Sequence, residues 1–119
     1  MVTCDRPLIA ASNGRKGSNT MPKLALYVPL KPKPGKEKEL EAFLKQGAEL
    51  AAQEPGTITW YALDQGDGRY SIFDTFNDEA GRDAHVNGPI AKALMAKAGE
   101  LLAEPPQINK ITLLAAKTK

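Results

Sequence analysis

One hundred and nineteen residues, 42% hydrophobic and 25% charged, are enough for one domain with a real core and too few for two. Formal net charge is +2, and three of the sixteen basic residues lie in the first twenty positions, so residues 21–119 balance 13 basic against 13 acidic side chains and present no case for a nucleic-acid or anionic-membrane partner. A lone Cys4 and a lone His85 exclude an internal disulfide and a Cys/His zinc cluster, and the apolar run at residues 7–11 is too short for a signal-peptide core or a membrane span, so a cytoplasmic protein is expected.

Residues 1–20 are polar and small, without apolar period, and read as a flexible N-terminal arm; Met21 opens the folded domain, 21–119. Residues 23–28 alternate as a strand, with Leu24, Leu26 and Val28 on one face and Ala25 and Tyr27 on the other. Pro29 conflicts with that strand unless it ends, bulges or lies at an edge. A helix is expected from Gly35 to about Gln53, its stripe carried by Leu40, Phe43, Leu44, Gly47 and Ala51 and its stop by Glu54-Pro55-Gly56. Residues 57–65 and 69–76 form a hairpin about Gly66-Asp67-Gly68. In its first strand Ile58, Trp60 and Ala62 face one way and Thr59, Tyr61 and Leu63 the other. Asn77-Asp78-Glu79 caps a short helix, which Asn87-Gly88-Pro89 breaks and restarts. After Pro105-Pro106, residues 107–116 read as a last strand, apolar on both faces.

The order β-α-β-β-α-β fits an α+β, ferredoxin-like antiparallel sheet with helices on one face. Strands two and four carry large apolar side chains on both faces, so the open face needs cover. A second copy of the sheet is the simplest cover, giving a homodimer through sheet faces, a dimeric α+β barrel.

Over about residues 22–117 the chain resembles the antibiotic biosynthesis monooxygenase (ABM) domain family of the dimeric α+β barrel superfamily. The carriers are Pro34-Gly35-Lys36-Glu37, Glu54-Pro55-Gly56-Thr57, Phe73-Asp74-Thr75-Phe76 followed by Asn77-Asp78-Glu79-Ala80, and Ala84-His85 with Gly88-Pro89 shortly after. The resemblance implies oxygen chemistry without metal, flavin or other cofactor, on a small aromatic, phenolic or quinol substrate with O2. An electron-rich phenolate reduces O2 by itself, so the protein need only bind, desolvate and deprotonate it. His85 is then the candidate base or proton relay, Asp74 its orienting partner or itself a base, and Tyr27, Trp60, Tyr61 and Phe76 the substrate-binding aromatic wall. Plainer roles stand beside these: His85 satisfying carbonyls at its helix end, Asp74 pairing with a lysine or capping a loop, and the aromatics serving as core or dimer contacts. Two functional alternatives also stay open, a non-catalytic small-molecule-binding or sensing module and an isomerase or stress-response enzyme for a small oxygenated metabolite. Haem degradation fits less well. Relatives with that activity carry an axial histidine two to three turns beyond the place of His85, where this chain offers Met95, and a tryptophan at the place of Phe76.

Overall fold

The structure, a computed structural model, describes residues 22–118, so the arm expected over 1–20 lies outside the described residues. Seven elements follow in order: β1 (Leu24–Leu30), α1 (Glu37–Ala51), β2 (Thr57–Gly66), β3 (Arg69–Phe76), α2 (Glu79–Val86), α3 (Pro89–Leu101) and β4 (Asn109–Thr112). The four strands form one antiparallel sheet in the order β2-β3-β1-β4, the ferredoxin-like arrangement.

Local chemistry accounts for each boundary. Gly35 takes φ +85° to turn the chain into α1, whose first turn carries Glu37 and Glu39 against the positive end of the helix dipole. Leu40, Leu44, Gly47 and Ala51 are its buried stripe. At the hairpin Gly66, Asp67 and Gly68 all take positive φ, and Asp64 Oδ1 accepts from Gly66 N at 3.0 Å. Asp78 caps α2 by accepting from Gly81 N at 2.8 Å, and Gly88-Pro89 starts α3.

Three strand expectations are corrected. β1 runs through Pro29 to Leu30 instead of ending before it. β4 is four residues long, not ten. Its register sets Leu24 opposite Thr112 and Tyr27 opposite Asn109. Continuing that register would set Gln107 against Pro29 and Leu114 against Pro22. Pro29 has no N–H to give on the β4 side, so the ladder stops short of it; at the other end Leu113 N still donates to Lys23 O at 2.9 Å, and Leu114 beyond it stands 98% exposed. Pro29 is thus tolerated in an inner strand because β4 ends short of it. Finally, β2 is not regular at its start: the register steps from Thr57–Phe76 to Thr59–Thr75, leaving Ile58 as the extra residue of a bulge, 40% exposed.

The core lies between one sheet face and the helices. Leu26, Val28, Leu30, Tyr70, Ile72 and Phe76 meet Leu40 and Leu44 of α1 and Leu94 and Leu101 of α3. The alternation of strand residues puts Tyr61, Phe73 and Tyr27 in one cross-strand row on the opposite face. Small neighbours in the flanking rows, Ala25, Ser71 and Thr75, are buried, while Tyr61 and Leu63 stand exposed.

Candidate functional site

Asp74 sits in β3, an inner strand, between Leu26 of β1 and Trp60 of β2 in the register, and points to the helix face. It is 0% exposed and neither carboxylate oxygen has an aligned hydrogen bond. A carboxylate so placed is costly to ionise, and such groups concentrate at functional sites. The group facing it is His85, in the last turn of α2 and itself 7% exposed. His85 Nε2 lies 3.0 Å from Asp74 Oδ2, close enough for a strong charge contact though off the axis of a good hydrogen bond.

The other ring nitrogen is also engaged. His85 Nδ1 lies 2.6 Å from Oε1 of Glu54, in the turn after α1, and the same oxygen accepts from Thr57 Oγ1 at 2.7 Å. His85 therefore bridges two carboxylates and does not cap its own helix end. Glu54 is the site residue the sequence reading missed; it was read only as part of the stop after α1. What brings it to His85 is a backbone contact between two glycines. A Cβ on Gly81 would lie 2.8 Å from the Gly56 carbonyl oxygen, so only glycine lets α2 come this close to the turn that carries Glu54.

Burial pushes the Asp74 carboxyl above the ordinary carboxylate range, and the close contact with His85 offsets this only in part. Burial works against a charged His85, but its bonds to Asp74 and Glu54 outweigh it and raise the imidazole above its usual value. Each ring nitrogen therefore faces a carboxylate oxygen, so a proton on either one is met by an acceptor. The carboxylates approach opposite sides of the ring and do not converge. Among the described residues, no group of three or more His, Cys, Asp or Glu side chains is placed to hold a metal ion.

The sheet divides the four expected aromatic residues. Phe76 lies on the helix face with its ring centroid 5.4 Å from that of His85. Trp60 lies on the same face, half-buried, its ring edge 3.1 Å from where a Cβ on Gly47 would be. Tyr27 and Tyr61 pair with Phe73, so they occupy the other face and form no common wall with His85. Tyr70, also on the helix face, donates to Glu41, and its phenol is pushed up to about 12, out of reach of acid–base work near neutrality.

Clefts open between described residues in at least three places. One of about 290 Å³ lies beside the C-terminal end of α1 and the start of β2, with Glu54 and Trp60 in its wall. A second, about 230 Å³, lies between α1 and the far half of β2. The third, about 480 Å³, opens around Tyr27, Pro29, Lys31 and Arg69. Of the three, the first alone includes a member of the Glu54–His85–Asp74 chain. No described helix is long and apolar enough to cross a membrane.

The family model for antibiotic biosynthesis monooxygenase matches residues 24–97. No curated protein matches the chain. Among solved structures, a protein of unknown function from Nitrosomonas europaea is 53% identical, with a TM-score of 0.81 over 84% of this chain and 97% of that one. A Mycobacterium tuberculosis protein, 22% identical, has a TM-score of 0.73 over 81% of this chain and 99% of its own. A Pseudomonas aeruginosa protein, 20% identical, has a TM-score of 0.69 over 81% and 98%. The last two are alike in fold.

Proposed function

The chain belongs to the antibiotic biosynthesis monooxygenase family, and from that premise we propose that it is a cofactor-independent monooxygenase oxidising a small phenolic or quinol substrate with O2. The observation that supports this reading is the wholly buried Asp74 in contact with His85. The chemistry asks the protein for little. A phenol gives up its O–H proton, and the electron-rich ring carbon opposite it bonds to O2. The resulting peroxide takes up a proton, and the carbon loses its hydrogen as the O–O bond breaks. One oxygen atom stays as the quinone carbonyl and the other leaves as water, so phenol and O2 become quinone and water with no external reductant. The protein's tasks are to take the first proton, return one to the peroxide and keep bulk water out. His85 is the residue through which the proton moves, Asp74 holds and balances it, and Phe76 and Trp60 form the apolar wall.

Oxygen uptake with a panel of phenols and quinols tests this. Turnover that falls at least about a hundredfold in His85→Ala and Asp74→Ala supports it; turnover equal to wild type in both variants removes the site assignment. A binding module without turnover is favoured by one observation, that both nitrogens of His85 are already occupied. It is the reading to adopt if ligands bind and no oxygen is consumed. Two copies joined through the Tyr61–Phe73–Tyr27 face, in a reducing cytoplasm compatible with the lone Cys4, complete the proposal.

A further inference from the structure

The cleft of about 480 Å³ has Tyr27, Pro29, Lys31 and Arg69 in its wall, and strand alternation turns all four to the sheet face away from His85. Two of them are cations. The register that sets Leu30 opposite Tyr70 runs one step further to bring Lys31 toward Arg69, so like charges meet across neighbouring strands, where they repel. Glu104, also in the wall, has Oε2 3.9 Å from Lys31 Nζ, but both side chains are more than half exposed and such a pair is weak. Among the described residues Arg69 forms no ion pair. The wall thus sets two cations against one acid, and a single negative charge placed between Lys31 and Arg69 turns their repulsion into two attractions.

Apolar surface lies beside the charges. Gln65 Nε2 donates to the Tyr27 hydroxyl at 3.4 Å, a contact that reaches from β2 across β3 to β1 and leans the Tyr27 ring over the sheet. That ring and the ring of Pro29 are flat, rigid surfaces of the kind an aromatic body packs against. The volume suits one or two fused rings.

We propose that this cleft is a second binding site, for a mono- or bicyclic aromatic carboxylate, with the carboxylate held by Arg69 and Lys31 and the ring against Pro29 and Tyr27. The sheet separates it from the Glu54–His85–Asp74 chain, and it stands or falls independently of the oxygenase reading.

The experiment titrates the 15N-labelled chain with 1-naphthoate, with its neutral analogue 1-naphthamide, and with inorganic phosphate at equal ionic strength. The intact protein is used in the oligomeric state it holds in solution, since Tyr27 also borders the face assigned to pairing. The expected result is a saturable shift of the backbone amides of Lys31, Gln65 and Arg69 with 1-naphthoate, and binding at least about tenfold weaker for the amide. Arg69 is exposed, so Arg69→Gln leaves the fold intact and should weaken 1-naphthoate at least about fivefold. Equal binding of acid and amide, affinity unchanged in Arg69→Gln, or shifts confined to Glu54 and His85 overturns the proposal, as does the absence of any shift. Phosphate that displaces 1-naphthoate at a similar concentration overturns the aromatic assignment and leaves a simple anion site.

Discussion

Gly81→Ala is the sharpest test of how the site is assembled. In a helix the change ordinarily stabilises by about 0.5–1 kcal/mol, because alanine has less backbone freedom to lose. Here the new Cβ would sit 2.8 Å from the Gly56 carbonyl oxygen, where ordinary contact begins at 3.4 Å. Both partners are backbone, so α2 and the turn must separate by about 0.6 Å, and overpacking of this kind costs about 1–3 kcal/mol. Set against the helix gain, the net loss is about 1–2 kcal/mol, or on the order of 4–10 °C in Tm for a domain this size. The same separation stretches the Glu54–His85 contact from 2.6 Å toward the limit of a hydrogen bond. Thermal denaturation reads the first effect and the 15N ring resonances of the single histidine read the second. Gly99→Ala is the control: it lies in α3, and a Cβ there meets nothing within 4 Å, so it should stabilise by about 0.5–1 kcal/mol. If Gly81→Ala is as stabilising as Gly99→Ala and leaves the histidine resonances in place, the glycine contact does not position the site.

Three further outcomes follow from the same geometry. His85 has a folded pKa raised above its usual value, so its contribution to stability is complete below about pH 6.5 and is lost as pH rises through the folded pKa. The raised Asp74 acts in the same direction from lower pH, so the urea midpoint should fall with rising pH across this range and fall less in His85→Gln; a midpoint that rises instead contradicts the assignment. Phe76→Ala empties the largest fully buried side chain and removes the ring beside His85, for a loss of about 3–5 kcal/mol by denaturant titration; a loss under about 1 kcal/mol would show that the core closes over the gap. Lysine at both Tyr61 and Leu63 puts two charges on the exposed sheet face, and sedimentation at micromolar concentration should then give a 12.8 kDa species where the wild-type chain gives twice that mass; a wild-type protein already at 12.8 kDa removes the proposed pairing.

The element order was legible because the signals were local. The stripe from Leu40 to Ala51 defined α1, three consecutive residues able to take positive φ defined the hairpin, and Asp78 and Pro89 marked the starts of α2 and α3. What depended on pairing was not legible. Where β4 stops short of Pro29 is governed by the absent N–H of that residue, and which residue lies opposite a proline emerges only from the register. The bulge at Ile58 has the same origin, as does the separation of Tyr27 and Tyr61 from His85. His85 and Asp74 were found because a lone histidine and a strand carboxylate are conspicuous. Glu54 was not, since 31 residues separate it from His85 and nothing in that spacing reports the contact of Gly56 with Gly81. A Glu-Pro-Gly turn reads as punctuation until a second glycine is known to rest against it.

Pro29 has a bearing beyond β4. The outer side of β1 and of the chain that continues it is met twice, by β4 opposite Leu24–Tyr27 and by the end of α3, where Lys33 N donates to Leu101 O and Ala103 N to Lys31 O. Between those two supports the side is bare, and the 480 Å³ cleft opens there with Pro29 in its wall. A bare strand margin inside a sheet is an invitation to polymerise, since any extended segment with free amides can zip onto it. Here the margin presents a ring where such a segment would look for a donor, so growth of an unwanted fibre is refused at the gap. Pro29, an irritant to the strand when read along the chain, is what allows the sheet to keep an unfinished border and still remain a discrete particle.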